Sequence, residues 1–274
     1  MEQDHELRNV CIFFAKAFVL LFVSGILWFG LGLLAFLAVT PYAYWHSKKN
    51  GLPYQVTVQG AFLGSAAGFS LACTIANYGE TIEHLPRYFL FLSSFHFTEY
   101  LFTALTNRRS LQPDSFLLNH SVGYWIAASI SWLEFLIEAY FIPSIKIRSI
   151  MLIGTIGCII GELFRKLAMV HAGVGFTHRL AMTKRLDHKL VKEGVYAIMR
   201  HPGYFGWFLW AVSTQIILCN PICLVVYGFV TWQFFSQRIY DEEKDLVQFF
   251  GDSYLNYQEN VWVGVPFVTG YQLP

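Results

Sequence analysis

The stretch RHPGYFGWFLWAVSTQIILCNPICLVVYGFVTWQFFSQRIYDEE, Arg200–Glu243, decides how this chain folds. Two apolar runs, at 203–218 and 221–239, meet at Asn220-Pro221. Proline cannot continue the first helix and suits the first position of a second. The stretch therefore reads as a tight helical hairpin, apolar in its body and charged at its open ends. A helix crosses a bilayer with about 20 mainly apolar residues, and windows of that kind recur upstream as far as residue 10. Of the 274 residues 55% are hydrophobic and 14% charged, against roughly a quarter charged in an ordinary soluble domain. The composition predicts a membrane protein with one compact bundle.

Working outward, residues 10–45 form an apolar stretch too long for one span and short for two, read as a hairpin breaking near Ser24-Gly25. Further spans are expected at 55–77, 86–106, 116–140 and 147–171, followed by a polar segment from Thr177 to Arg200. The predicted fold is an all-α polytopic bundle of about eight transmembrane helices ending in the C-terminal hairpin. Seven spans is the alternative, with 10–45 as one long tilted helix. Lys and Arg accumulate in cytosolic loops. HSKKNG at 46–51, NRRS at 107–110 and the segment 177–200 fall on one side of an eight-span layout, and YGETIEHLP at 78–86 on the other. Lys146 and Arg148 fall on the wrong side. This layout puts the polar segment and both termini in the cytosol.

A net charge of +1 argues against a nucleic-acid partner, which calls for a concentrated basic face. The five cysteines lie in apolar segments and, with no His or Cys pair at zinc-ligand spacing, are read as inert thiols with no metal. MEQDHELR at the N-terminus is more acidic than basic and no cleavage site follows the first apolar run, so the first helix is expected to be retained. No repeat of fixed period appears, removing one signature of transporters. Glu99, Glu134, Glu138, Glu162 and Arg165 lie inside apolar spans, where ionisable groups are functional candidates. Their other reading is local pairing or snorkelling near helix ends, as Glu162 and Arg165 could do at i, i+3.

The motifs that carry function are His188-Lys189-Leu190-Val191, Gly194-Val195-Tyr196, Arg200-His201-Pro202-Gly203-Tyr204 with Gly206-Trp207 behind it, CNPIC at 219–223, and Arg238 to Glu243 followed by FFGDSYLNY. Across roughly the last hundred residues the chain closely resembles the isoprenylcysteine carboxyl methyltransferase family of the endoplasmic reticulum; the upstream layout agrees more loosely. Arg-His-Pro with Glu-Glu is shared with phospholipid methyltransferases and sterol C-14 reductases, whereas CNPIC and Phe-Gly-x-x-Tyr narrow the match. The resemblance implies S-adenosylmethionine as methyl donor, bound in a cytosolic cap. The acceptor would be the free carboxylate of a C-terminal farnesyl- or geranylgeranyl-cysteine in CaaX-type proteins, its lipid chain entering from the bilayer. It implies cofactor contacts from His188, Lys189, Leu190, Val191, Tyr196, His201, Pro202, Gly203, Tyr204 and Glu242, with Arg238 reading the substrate. It divides the chain into N-terminal transmembrane helices, 1–145, and a methyltransferase core, 146–274. Ala181 stands where the family commonly has a polar cofactor contact, and Gly203 where it commonly has a serine.

The residues make independent sense of these roles. His201 precedes a proline and is biased away from α, while Pro202 can open a helix. The result is a helix N-terminus at the membrane surface, whose N–H groups and positive dipole end suit an anion such as a methionine carboxylate. The alternative reading makes Arg200 and His201 interfacial anchors. Arg238 and Glu242, at i, i+4, share a helix face and read either as a surface ion pair or as a divided site, Arg238 for a carboxylate and Glu242 for cofactor hydroxyls or its ammonium. Trp207, Phe208 and Trp210 are candidate walls for a lipid path or plain lipid-facing surface. A phospholipid amine N-methyltransferase or sterol C-14 reductase of the same superfamily stands as alternative enzyme, and a transporter or lipid-binding scaffold outside enzymes.

Overall fold

The structure is a computed structural model that describes residues 2–77, 79–118, 121–178 and 189–273. Among these residues it is all-helical: α1 (Glu2–Leu27), α2 (Phe29–Lys49), α3 (Tyr54–Ala76), α4 (Glu80–Thr106), α5 (Val122–Phe141), α6 (Arg148–Ala172), α7 (Pro202–Leu218), α8 (Pro221–Phe250) and the short α9 (Asp252–Asn260). The first apolar stretch does break into two helices, but at Trp28, whose extended backbone (φ −168°, ψ 129°) separates α1 from α2. Gly25 stays helical because its missing side chain is used in packing: a Cβ there would lie 2.8 Å from that of Ala72. α5 begins at Val122, later than the expected 116, because Ser121 caps it by accepting from the Tyr124 amide at 3.1 Å. α8 runs to Phe250, well past the expected 239. Nothing between Arg238 and Phe250 breaks a helix, so it continues as a polar extension until Gly251, whose φ of 54° favours glycine.

Two glycine seams bring backbones into contact. Gly60, Gly64 and Gly68 form a GxxxG ridge on α3 against α1; a Cβ would come within 2.3 Å of the Phe14 carbonyl oxygen at Gly64 and 2.2 Å of that of Phe18 at Gly68. Gly161 on α6 meets Gly206 on α7 in the same way, a Cβ at Gly206 falling 2.6 Å from the Arg165 nitrogen. Without a hydrophobic force between helices in lipid, such close approach is what makes them associate. Gly64→Ala is expected to overpack the α1–α3 contact at a cost of about 1–3 kcal/mol, read as a lower melting temperature in detergent. Gly228→Ala on α8, where a Cβ meets nothing within 4 Å, should leave stability unchanged or slightly raised.

The outer faces are apolar and exposed. On α6, Ile153, Ile156, Ile160 and Leu163 point outward opposite the buried Gly154 and Gly161, a pattern suited to lipid and not to water. By length and apolarity alone α1 and α3 qualify as membrane spans among the described residues; α6, by contrast, carries interior charges.

Those interior charges are held by partners inside the protein. Glu134 accepts from the Ile222 and Cys223 amides, both at 2.8 Å, capping the start of α8. Lys146 is buried, donating to Glu138 at 2.7 Å and to the Leu218 and Cys219 carbonyls at 2.9 and 3.2 Å, which closes the end of α7. A carboxylate at a helix start and an ammonium at a helix end complement the helix dipole. The turn at Asn220-Pro221 is thus held from both sides, and Lys146 is a packing residue here instead of a loop charge. Arg148 lies 3.7 Å from Glu83. Arg165 does not pair with Glu162. Its guanidinium grips Glu99 on α4 through Nε at 3.0 Å and Nη2 at 2.8 Å, while Glu162 faces Lys166 at 3.4 Å, one turn along α6.

Candidate active site

The polar end of α8, the start of α7 and the segment 189–197 enclose a cavity of ≈ 900 Å³, near the upper end for small-molecule sites. Antiparallel packing of α7 and α8 builds one wall as a ladder. At the top His201 Nδ1 stands 3.7 Å from Glu242 Oε2. One turn down, Arg238 Nε donates to the Tyr204 hydroxyl at 3.0 Å. A further turn down, the rings of Trp207 and Phe235 meet at 5.8 Å. Each step is about 5 Å along the helices, so the wall passes from charged to mixed to aromatic within roughly 10 Å.

Of the residues singled out by sequence, Lys189, Leu190, Val191, Tyr196, His201, Gly203, Tyr204, Arg238 and Glu242 all line this cavity. Pro202 is buried and opens α7 at its first position without lining the cavity. His188 and Ala181 lie outside the described residues. Trp207 lines the cavity, whereas Phe208 packs against the cluster of Phe235, Ile239, Val263, Val265 and Val268, and Trp210 is buried, stacked on Phe95 at 4.0 Å. Only the first of these three aromatics is a wall.

The hinge differs from expectation in two respects. Arg200 and His201 are buried, because the chain after α9 folds back over them: the Arg200 and His201 amides donate to the Trp262 and Val263 carbonyls at 2.8 and 3.1 Å. The helix start also offers fewer donors than a generic N-terminus. Pro202 has no N–H, and the Tyr204 and Phe205 amides return to the His201 carbonyl at 3.1 and 3.0 Å. Of that first turn, Gly203 alone is left with an amide to present to a ligand.

Glu243, adjacent to the predicted Glu242, is the hub that sequence reasoning missed. Fully buried, it accepts from Arg200 Nε at 2.8 Å, His201 Nε2 at 3.0 Å, the Tyr254 hydroxyl at 3.1 Å, Gln258 at 3.0 Å and the Tyr271 amide at 2.9 Å. Burial works against its charge, yet the His201 bond and charge, with those of Arg200, outweigh burial and hold its pKa below the usual 4.5. Arg200 spends its remaining donors on the Gln258, Val261 and Thr269 carbonyls; it is a clasp for the tail. Tyr254 carries the Phe-Gly-x-x-Tyr signal, and Tyr257 donates to the Tyr196 carbonyl.

Glu242 and Arg238 share a face without forming an ion pair among the described residues. Arg238 uses Nε on Tyr204 and Nη2 on the His178 carbonyl at 2.6 Å, leaving Nη1 with no hydrogen-bond partner among the described residues. Glu242 Oε2 is buried with no hydrogen bond of good geometry there. Below them Arg165 closes the floor, its guanidinium lying 4.9 Å from the Phe176 ring and 5.0 Å from Trp207. Sequence analysis had marked Arg165 only as an interior charge.

Comparison with known proteins gives one consistent answer. The sequence model of the isoprenylcysteine carboxyl methyltransferase (ICMT) family matches residues 151–248. A protein-S-isoprenylcysteine O-methyltransferase of Xenopus laevis is 46% identical, over 80% of this chain and 76% of its own. The protein of that name from Saccharomyces cerevisiae is 44% identical over 81% of this chain and 94% of its own. A solved structure described as the eukaryotic intramembrane Ras methyltransferase ICMT is 35% identical and superposes with a TM-score of 0.92, covering 97% of this chain and 99% of that one. Cavity, hinge and hub together with these likenesses establish that the chain belongs to the isoprenylcysteine carboxyl methyltransferase family.

Proposed function

We propose that this enzyme methylates the C-terminal carboxylate of prenylated cysteine, with S-adenosylmethionine as donor. The observation that carries the reading is the α7–α8 ladder, which joins a charged pocket to an aromatic wall in one cavity. A substrate with a carboxylate at one end of a long apolar chain needs both.

The residues present fit that donor. Glu242 Oε2, buried with no close hydrogen bond among the described residues and with His201 Nδ1 at 3.7 Å beside it, has room for a hydroxyl or ammonium partner. His201 and Tyr204 present parallel rings 5.5 Å apart, and aromatic faces attract cations. Gly203 offers its amide, and Lys189 a cation, for a carboxylate. Bound there, S-adenosylmethionine supplies an electrophilic methyl on a positively charged sulfur. An acceptor carboxylate is already ionised at neutral pH, so no side chain has to serve as general base. What the protein provides is placement. Arg238, fixed by Tyr204 and the His178 carbonyl, turns its remaining edge to the acceptor as a planar donor. Trp207, Phe176 and Phe234 line the cavity and keep water from the reacting charges. Because the two charges cancel as the ester forms, an apolar wall favours the product side. Arg238 must hold the carboxylate loosely enough that the ground state does not gain more than the transition state.

Arg238 favours a carboxylate acceptor over the amine head group of a phospholipid N-methyltransferase, and methyl transfer is distinguished from sterol reduction by the mass of the product. Purified enzyme with labelled S-adenosylmethionine and a small S-prenyl cysteine should yield a base-labile methyl ester; its absence would overturn the reading. Glu242→Ala should weaken S-adenosylhomocysteine binding about tenfold, the loss of one charge-assisted hydrogen bond, with the fold intact in calorimetry. Unchanged affinity would remove Glu242 from the site.

Residues 146–274 are assigned the chemistry, with 1–145 as membrane scaffold, although Glu99 on α4 reaches across to Arg165. Eight spans, α1 to α8, in the endoplasmic reticulum membrane put both termini and the cavity on the cytosolic side. The basic loops at 46–51, 107–110 and 177–200 support this orientation, and Lys146 ceases to oppose it once its packing role is counted. Glycosylation acceptors engineered into 78–86 should be modified and acceptors at either terminus should not. A modified N-terminal acceptor with an unmodified C-terminal one would reduce the count to seven.

A further inference from the structure

The tail after α9 does more than clasp the hinge. Val263, Val265 and Val268 pack under Phe235 and Ile239 of α8, with Tyr204, Trp207, Phe208 and Trp232 around them. Phe208 lies seven residues past His201 on α7, about 10 Å, and Trp232 ten residues before Glu242 on α8, about 15 Å, so the tail reaches about 10–15 Å below the level of His201 and Glu242. The Trp232 indole fixes that depth by donating to the Pro266 carbonyl at 2.9 Å. At this level α8 carries no charge from Pro221 to Gln237.

The tail turns back here through Val265-Pro266-Phe267-Val268, closed by the Val268 amide on the Val265 carbonyl at 3.4 Å. Phe267 occupies the third position with φ 61°, a place that favours glycine or asparagine. It is 96% exposed, and Trp262, at the hinge end of the same tail, is 51% exposed. A bulky aromatic held in a left-handed backbone and pointed away from the protein gains nothing from the fold to offset its strain, so the compensation lies outside. An exposed apolar side chain beside apolar helix faces, with an exposed tryptophan where the same tail meets the hinge, is the composition of a membrane interface.

We propose that the 263–268 turn is a membrane-contact element, with Phe267 inserted at the boundary between headgroups and acyl chains. The clasp from Glu243 through Arg200 then ties the active-site hinge to the bilayer surface. This rests on reading α7 and α8 as spans, and the test separates the two.

Nitroxide labels are placed singly by Phe267→Cys, Phe229→Cys and Asp252→Cys in otherwise active enzyme whose partly exposed Cys11 has been replaced by serine, reconstituted in phosphatidylcholine vesicles. Phe229 is exposed on the apolar part of α8 and Asp252 opens α9. Labels at 267 and 229 should collide with oxygen more than with a water-soluble nickel chelate, and the label at 252 should do the reverse. Water-like accessibility at 267 with lipid-like accessibility at 229 overturns the present proposal. Water-like accessibility at both sites overturns the membrane reading of α8 instead. Phe267→Trp gives a second measurement, its added fluorescence expected to be quenched by brominated acyl chains. Absence of quenching at 267, or protection of the label only when a prenylated peptide is added, would assign the turn to water or to the substrate protein and overturn the proposal.

Discussion

Glu243→Gln should lower stability by about 3–5 kcal/mol, the range for removing one partner of a buried ion pair. The loss should be read as a fall in the melting temperature of the solubilised protein. The substitution keeps the size of the side chain and removes its charge, so Arg200, already buried, loses its counter-charge. Glutamine keeps one acceptor oxygen, so the donors to the other, either Arg200, His201 and Tyr254 or Gln258 and the Tyr271 amide, meet an NH2 group instead. The same carboxylate sets an acid limit. Its pKa lies below 4.5 in the folded protein, so its contribution is present above the ordinary carboxylate value and is lost as pH falls through the lower native one. Glu243→Gln should flatten that part of the stability profile. An unchanged profile would show that another carboxylate sets the acid limit.

Arg238→Lys should cut the methylation rate about a hundredfold, about 2.7 kcal/mol in barrier, with S-adenosylhomocysteine binding nearly unchanged. Lysine keeps the charge, but a single ammonium cannot bond Tyr204 and the His178 carbonyl while presenting a flat donor edge to a carboxylate. The matching control is a prenylcysteine amide, which has no carboxylate. Wild type should prefer the acid, and the variant should lose that preference. If both proteins bound acid and amide equally, Arg238 would act only by holding Tyr204 and residue 178 in place.

Much of the helical layout was legible because apolar windows and the Asn220-Pro221 turn are local signals. What escaped depends on partners far apart in the chain. Glu99 and Arg165 belong to different helices, and nothing near Arg165 in sequence distinguishes Glu99 from Glu162, which has the right spacing for a local pair. Glu242 and Glu243 are neighbours about 100° apart around α8. Phe235, Ile239 and Glu243 share the buried face, whereas Phe234, Arg238 and Glu242 share the face toward the cavity. That signal was present in the sequence: a carboxylate four and eight residues after two large apolar residues belongs to their face. The Gly60-Gly64-Gly68 ridge was equally readable, and it fixes how α3 sits on α1. The length of α8 could not be read from hydropathy, since its last three turns lie above the apolar window.

The tail that closes over the hinge also gives the enzyme a built-in check on completeness. Residues 261–271 leave the ribosome after every membrane helix has been made, yet they supply the carbonyls that seat the Arg200 and His201 amides and the Tyr271 amide that binds Glu243. A message cut short after α9 would therefore yield a protein that inserts normally, with all its helices in place, and has no assembled hinge. Such a product would carry the α7–α8 wall without the partners that seat Arg200, His201 and Glu243.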